Sequence, residues 1–135
     1  MDTRYERQLK RGVLEIVVLK LLSQGRAYGY QLLQRLDQES GGLFRIKEGT
    51  LYPILYRLED DGLVVSEWSI PEDKSVAKKY YRCTLKGEEA LVELLELWRK
   101  FDRVANHFLQ GRMGKHDKGS LYPRGDAKLA AAAQN

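Results

Sequence analysis

Catalytic chemistry is hard to assemble from this chain. His107 and His116 are its two histidines. Neither has cysteine or carboxylate company at metal-ligand spacing. No nucleophile, base and orienter can be grouped around them, and no glycine-rich phosphate loop follows a strand-like run. The reading is of no enzyme, no metal and no cofactor. Cys83 is the single cysteine. Its neighbour Arg82 can lower a thiol pKa and make a redox sensor, but a small buried strand residue is the plainer reading. One cysteine cannot form an internal disulfide, which fits a reducing cytoplasm. What the chain does carry is clustered positive charge. Lys74, Lys78, Lys79, Arg82 and Lys86 follow one another with no acid between them, and Arg4, Arg7, Lys10 and Arg11 form a second group. The net charge of +4 says less, because residues 1–110 hold 18 Lys+Arg against 17 Asp+Glu while residues 111–135 hold 5 against 2. Local clusters, not global basicity, suggest a polyanionic partner.

The elements that position these bases are legible. Residues 49–63 combine a glycine start, an amphipathic stretch and a glycine stop. Leu51, Leu55 and Leu58 recur at helical spacing beside Ile54, so one stripe must face a core. Gly49, Pro53, Tyr56, Arg57 and Asp60 fall on the opposite side, with Tyr52 on the flank. Pro53 reads as a first-turn residue, where its missing N–H has no helical partner. Gly62 stops the helix and Leu63-Val64-Val65 begins a strand. The other spacings predict helices over about 6–24, 28–39 and 85–110, with Thr84 as N-cap of the last. Leu9, Val13, Ile16, Val17 and Leu21 make one face of the first helix, but Leu14, Val18, Leu19 and Leu22 are apolar too. Such a helix is covered on several sides. Strands are expected over 63–69 and 79–85, joined by a turn-rich tip. Trp68 reads as a core or hairpin-packing residue. No apolar run approaches the roughly 20 residues of a membrane span, and the basic N-terminus lacks a signal-peptide core.

A short helix with outward aromatics that runs straight into a hairpin is how a winged helix presents its recognition helix. Here the sequence resembles the PadR-like transcriptional regulators. The resemblance rests on Gly49-Thr50-Leu51-Tyr52-Pro53, then Arg57-Leu58-Glu59, then Gly62-Leu63. Tyr28-Gly29-Tyr30 with Leu32, Leu33 and Leu36 matches upstream. Lys79-Tyr80-Tyr81-Arg82 and Thr84-Leu85-Lys86-Gly87 match downstream, so residues 9–108 correspond in order. The resemblance implies a mainly α fold with a small β-hairpin: a winged helix-turn-helix followed by a long C-terminal dimerisation helix. It implies a cytoplasmic, sequence-specific DNA-binding repressor. Lys47, Thr50, Tyr52, Tyr56 and Arg57 would lie against DNA, unless they are solvated or packed on neighbours. Tyr28 would donate its hydroxyl to a phosphate, or pack at a helix start. Lys74, Lys78, Lys79 and Arg82 would hold flanking phosphates, or form a solvated face. The acidic balance of residues 47–61, two bases against four acids, counts against a DNA-facing helix.

The expected organisation is a winged-helix domain over 1–85, a dimerisation helix over 86–110 and a disordered tail over 111–135. Part of that tail, around Lys128 to Ala132, looks like translated cloning-vector sequence. The last helix repeats Leu91, Leu95, Trp98, Phe101, Ala105 and Phe108 at steps of three and four, the spacing of a coiled-coil seam. A symmetry mate is the economical cover, giving a homodimer and a pseudo-palindromic operator. Trp98 is either dimer packing or, as in small drug-responsive members of the family it resembles, a stacking surface for a planar aromatic effector. Two alternatives remain: a winged-helix adaptor that binds protein without specific DNA binding, and a metabolite-binding dimer with a minor DNA role.

Overall fold

The computed structural model describes residues 3–70, 72–73 and 75–111. The elements run α1 (Arg4–Ser23), β1 (Ala27–Tyr28), α2 (Gly29–Glu39), α3 (Glu48–Asp60), β2 (Val64–Ser69), β3 (Lys78–Cys83) and α4 (Leu85–Gly111). The chain divides into two units, Met1–Val92 and Glu93–Asn135. The expected tail and Lys74 lie outside the described residues, apart from Gly111, which closes α4.

The first unit is a winged helix built on leucine. The core takes Leu14, Val18, Leu19 and Leu22 from α1, Leu32 and Leu36 from α2, and Leu51, Ile54, Leu55 and Leu58 from α3. Each such side chain stabilises the fold by roughly 1.5–3 kcal/mol on burial. The buried stripe of α1 differs from the one expected. Leu14 and Val18 face inward, whereas Leu9 is 75% exposed and Val13, Ile16 and Val17 are only half-buried. The chain's own core uses one face of a helix that is apolar on two.

Local chemistry sets the ends of these elements. Thr3 caps α1 by accepting from the Glu6 N–H at 3.1 Å. The α3 terminus is a Schellman turn: the Gly62 N–H bonds the Glu59 carbonyl and the Leu63 N–H bonds the Leu58 carbonyl, both at 2.9 Å. Gly62 stands at φ 76°, where a side chain would be strained. Thr84 caps α4 as expected, accepting from the Gly87 N–H at 3.0 Å, and its hydroxyl donates to the Gly62 carbonyl at 2.7 Å. One residue thus ties the end of α3 to the start of α4. Pro53 lies in the second turn of α3, not the first. It removes the intrahelical donor for the Gly49 carbonyl, and both residues are exposed.

The hairpin carries a third strand that the sequence pattern did not disclose. The order is β1-β3-β2, all antiparallel, with Ala27 opposite Tyr81 and Tyr28 opposite Tyr80. Two residues are too short a run to show alternation. Register assigns the faces. Val64, Tyr81 and Cys83 share one face with Lys79 and Trp68; Val65, Arg82, Tyr80, Glu67 and Lys78 share the other. Trp68 is 66% exposed, so it is not a core residue. It pairs with Lys79, two residues nearer the wing tip than Tyr81. Cys83 is half-buried, and burial, then Glu88, pushes its thiol pKa up. Arg82, on the other face, does not produce the lowering that a sensor needs.

The described part of the second unit is the remainder of α4. Its exposed apolar residues include Leu97, Trp98, Phe101, Val104, Phe108 and Leu109. Leu91, expected in this seam, belongs to the first unit and is covered there by its own chain. No described helix is long and apolar enough to cross a membrane.

Tyr81 offers a test of the core. Its hydroxyl is buried with no hydrogen-bond partner among the described residues. Burial, followed by Tyr56, Glu59 and Tyr52, pushes its pKa up to about 12. The unfolded chain releases that proton near pH ~10. The stability tied to the neutral phenol is therefore complete below ~10 and is lost as pH climbs through the folded value of about 12. Tyr81→Phe should raise neutral-pH stability by about 1 kcal/mol and flatten the alkaline loss, read from urea midpoints across that range.

Candidate nucleic-acid interface

The leucine stripe of α3 decides what α3 presents outward. With Leu51, Ile54, Leu55 and Leu58 buried, the exposed arc consists of Gly49, Thr50, Pro53, Tyr56, Arg57 and Asp60. Lys47, exposed at the N-cap, extends it. The acids that weighed against this helix are partly explained. Glu59 is half-buried and accepts from the Ser66 hydroxyl at 2.6 Å, so it turns toward β2. Glu48 sits in the first turn, where a carboxylate suits the helix dipole. Asp60 and Asp61 stay exposed at the far end.

Tyr52 stands on a flank of the arc. It is half-buried, and its hydroxyl lies where a Cβ on Gly29 would be. Burial first, then Glu48 and Tyr56, raises its pKa. Its ring is 5.9 Å from that of Tyr56. Tyr52 thus packs α3 on the start of α2 while keeping an exposed edge. Arg57 is also partly engaged, donating to Glu15 of α1 at 2.7 Å. Such an exposed pair contributes about 0–1 kcal/mol and leaves the guanidinium at the surface.

The wing bases, contiguous in sequence, split between two faces. Lys78 and Arg82 share the face that carries Tyr80, and Lys79 lies on the opposite one with its ammonium 5.5 Å from the Tyr81 ring. On the Tyr80 face a cation–aromatic row forms. Arg26 stacks on Tyr80 at 4.1 Å, Tyr80 meets Tyr28 edge-on at 5.2 Å, and Lys78 lies 4.9 Å over Tyr28. Arg26 also reaches Glu67 at 3.5 Å. Arg26 and Tyr80 were not among the expected residues. The short strand before α2, too short to read in the sequence, brings residue 28 beside residue 80. Tyr28 fills the N-cap position of α2, where its N–H donates to Gln31 Oε1 at 3.1 Å. The start of α2, the wing and α3 therefore lie in one neighbourhood through Gly29–Tyr52 and Tyr28–Tyr80. Trp98 and the α4 seam from Leu95 on belong to the other unit.

Residues 18–93 match the transcriptional regulator PadR-like family. The chain belongs to this family. It is 36% identical over 87 residues to the transcriptional regulator Rv3488 of Mycobacterium tuberculosis, covering 64% of this chain and 77% of that one. It is 31% identical over 83 residues to the negative transcriptional regulator PadR of Bacillus subtilis, covering 62% of this chain and 45% of the relative. A PadR-like transcriptional regulator from Bacillus cereus has a similar structure, with a TM-score of 0.67 and 33% identity, covering 78% of this chain and 99% of that one. The PadR-like chain is thus a transcriptional regulator and not an enzyme, and its fold is the winged helix of these regulators. Among the described residues no cluster of three or more His, Cys, Asp and Glu is placed to hold a metal.

The Gly29–Tyr52 contact generates a test. Gly29→Ala should destabilise the domain by about 1–3 kcal/mol through overpacking. Adding Tyr52→Phe, which removes the nearest atom, should recover part of that loss. Denaturant midpoints of the four proteins in this cycle give the coupling.

Proposed function

We propose that this PadR-like regulator binds double-stranded DNA in a sequence-specific manner and represses transcription as a homodimer. The observation that carries this reading is the exposed arc of α3. A helix held by leucines on one side offers Lys47, Thr50, Tyr56 and Arg57 on the other, with the free edge of Tyr52 beside them. A major groove admits such a helix, and polar and aromatic side chains read base edges or hold its walls. Lys78, Arg82 and Tyr28 share one sheet face and supply phosphate contacts beside it. Lys79, on the other face, contributes from the opposite edge of the wing, and Lys74 would extend the charge. The name of the B. subtilis relative, a negative regulator, supports repression.

The α4 stripe supports the dimer. Trp98, Phe101, Ala105 and Phe108 are exposed at helical spacing, with half-buried Leu95 before them, and a second copy of α4 would bury them. Leu91 contributes at the margin, since its own chain already covers it. Two-fold symmetry would set half-sites about one helical turn (~34 Å) apart in a pseudo-palindromic operator. Trp98, 44% exposed, is the residue we assign to a planar aromatic effector at that seam. Such a ligand would relieve repression by favouring one spacing of the two α3 helices. The cytoplasm is where such a regulator meets DNA.

The wing test compares Lys78→Ala with Arg82→Ala in one protein against wild type. Binding to all duplexes should weaken alike, and the slope of log affinity against log salt should become shallower by about one to two units. An adaptor that does not use DNA would show no such slope to lose. Sedimentation at micromolar concentration should give a dimer, and a stable monomer would remove the palindrome. Flat aromatic compounds should quench emission in Trp68→Phe and leave it nearly unchanged in Trp98→Phe.

A further inference from the structure

The basic cluster at the start of α1 takes no part in the interface described above, yet the fold gives it a place. From Leu14 onward the inward stripe of α1 is apolar, with Val18 and Leu22 buried. At the same helical steps, one and two turns earlier, the stripe carries Arg11 and Arg7. The helix therefore overhangs the core, and the overhang is basic. Opposite it stands the first half of α3. A cleft of about 880 Å³ runs between them, walled by Arg7 and Arg11 on one side and by Lys47, Thr50 and Arg57 on the other. Buried Leu14 and Ile54 also line it.

The charge of this cleft survives its ion pairs. Lys10 lies 3.2 Å from Glu6, Arg57 2.7 Å from Glu15, and Arg45 3.1 Å from Asp37. Arg11 and Lys47 line the same cleft with no carboxylate paired to them among the described residues, so a positive balance remains. The position matters as much as the sign. Thr50 and Arg57 belong to the exposed arc of α3 and also wall the cleft, whereas Tyr52 covers Gly29 on the other flank. The cleft therefore borders the outward face of α3 on the side away from α2. A duplex that receives α3 in its major groove must pass a sugar–phosphate strand along each flank of the helix.

We propose that the overhanging first turns of α1 form a further phosphate clamp, in which Arg7 and Arg11 hold the DNA backbone strand bordering α3. This rests on the DNA-binding reading above and extends it to a helix that otherwise only packs. The planar guanidinium, permanently charged, suits a phosphate, and each such contact releases counterions on binding.

The test uses the full chain and a short fluorescein-labelled duplex of arbitrary sequence, with anisotropy titrations at several KCl concentrations. Arg7→Ala with Arg11→Ala should make the salt slope shallower by about one to two units. Arg7→Lys with Arg11→Lys should keep the wild-type slope, because charge is retained. Unchanged far-ultraviolet circular dichroism and denaturant midpoint separate this from loss of α1. An unchanged slope in the alanine pair, while Lys78→Ala with Arg82→Ala still lowers it, would overturn the clamp and leave DNA binding standing. Wild-type protein with no salt-dependent affinity for duplex would overturn both. If the alanine pair instead turns a dimer into a monomer and leaves the slope intact, the cleft joins two copies of the chain, and the clamp is wrong.

Discussion

Burial of Leu51, Leu55 and Leu58 is the constraint on which the rest depends. It locks the rotation of α3, and rotation is what a helix needs fixed before its other face can read anything. A turn of one residue, roughly 100°, would put Leu55 where Tyr56 stands or Leu58 where Arg57 stands. The stripe meets partners on α1, α2 and the sheet, so three elements define one angle. Thr84 then ties the end of α3 to α4 through the Gly62 carbonyl. The wing, which leaves α3 directly after the Gly62 turn, inherits its position from the same lock.

Electrostatics follow from this geometry more than from composition. A helix with more acids than bases looks unsuited to a polyanion until its side chains are placed. Glu59 is drawn off to Ser66 and Glu48 serves the helix start, which leaves Asp60 and Asp61 at one end. The bases reach the region from elsewhere: Lys78 and Arg82 from β3, Arg26 from the start of β1, and Arg7 and Arg11 from α1. A modest net charge of +4 is compatible with a concentrated local field, because distant acids are screened beyond roughly 10 Å at ordinary salt.

Packing and the proposed DNA interface share residues at the α2–α3 contact. Gly29 lets Tyr52 lie against the backbone, and Tyr28, one residue earlier, meets Tyr80 and Lys78. A ring half-committed to packing is held in one rotamer. A side chain so restricted loses less entropy when it meets a partner. The α4 stripe is the contrasting case: Phe101 and Phe108 stay exposed along their own chain, so their order depends on what covers them.

Periodicity alone was enough to locate four helices, the hairpin, the Gly62 stop and the Thr84 cap, because each depends on residues within about one turn of one another. The residue pattern of 49–63 also identified the family, which the matched residues 18–93 bear out. Other features depended on tertiary contact. The two-residue β1 has no period to read, and it exists only because β3 pairs with it. The inward face of α1 was ambiguous, since both faces are apolar and only the neighbours choose Leu14 and Val18. Pairing register separated Lys78 from Lys79, and distance from the leucine core left Trp68 in solvent. Sequence determined the four helices and the hairpin, because local spacing and caps decide those. Only the tertiary structure decided which residues stand together, because a contact between residues 29 and 52, or between 26 and 80, is set by the packing of whole elements.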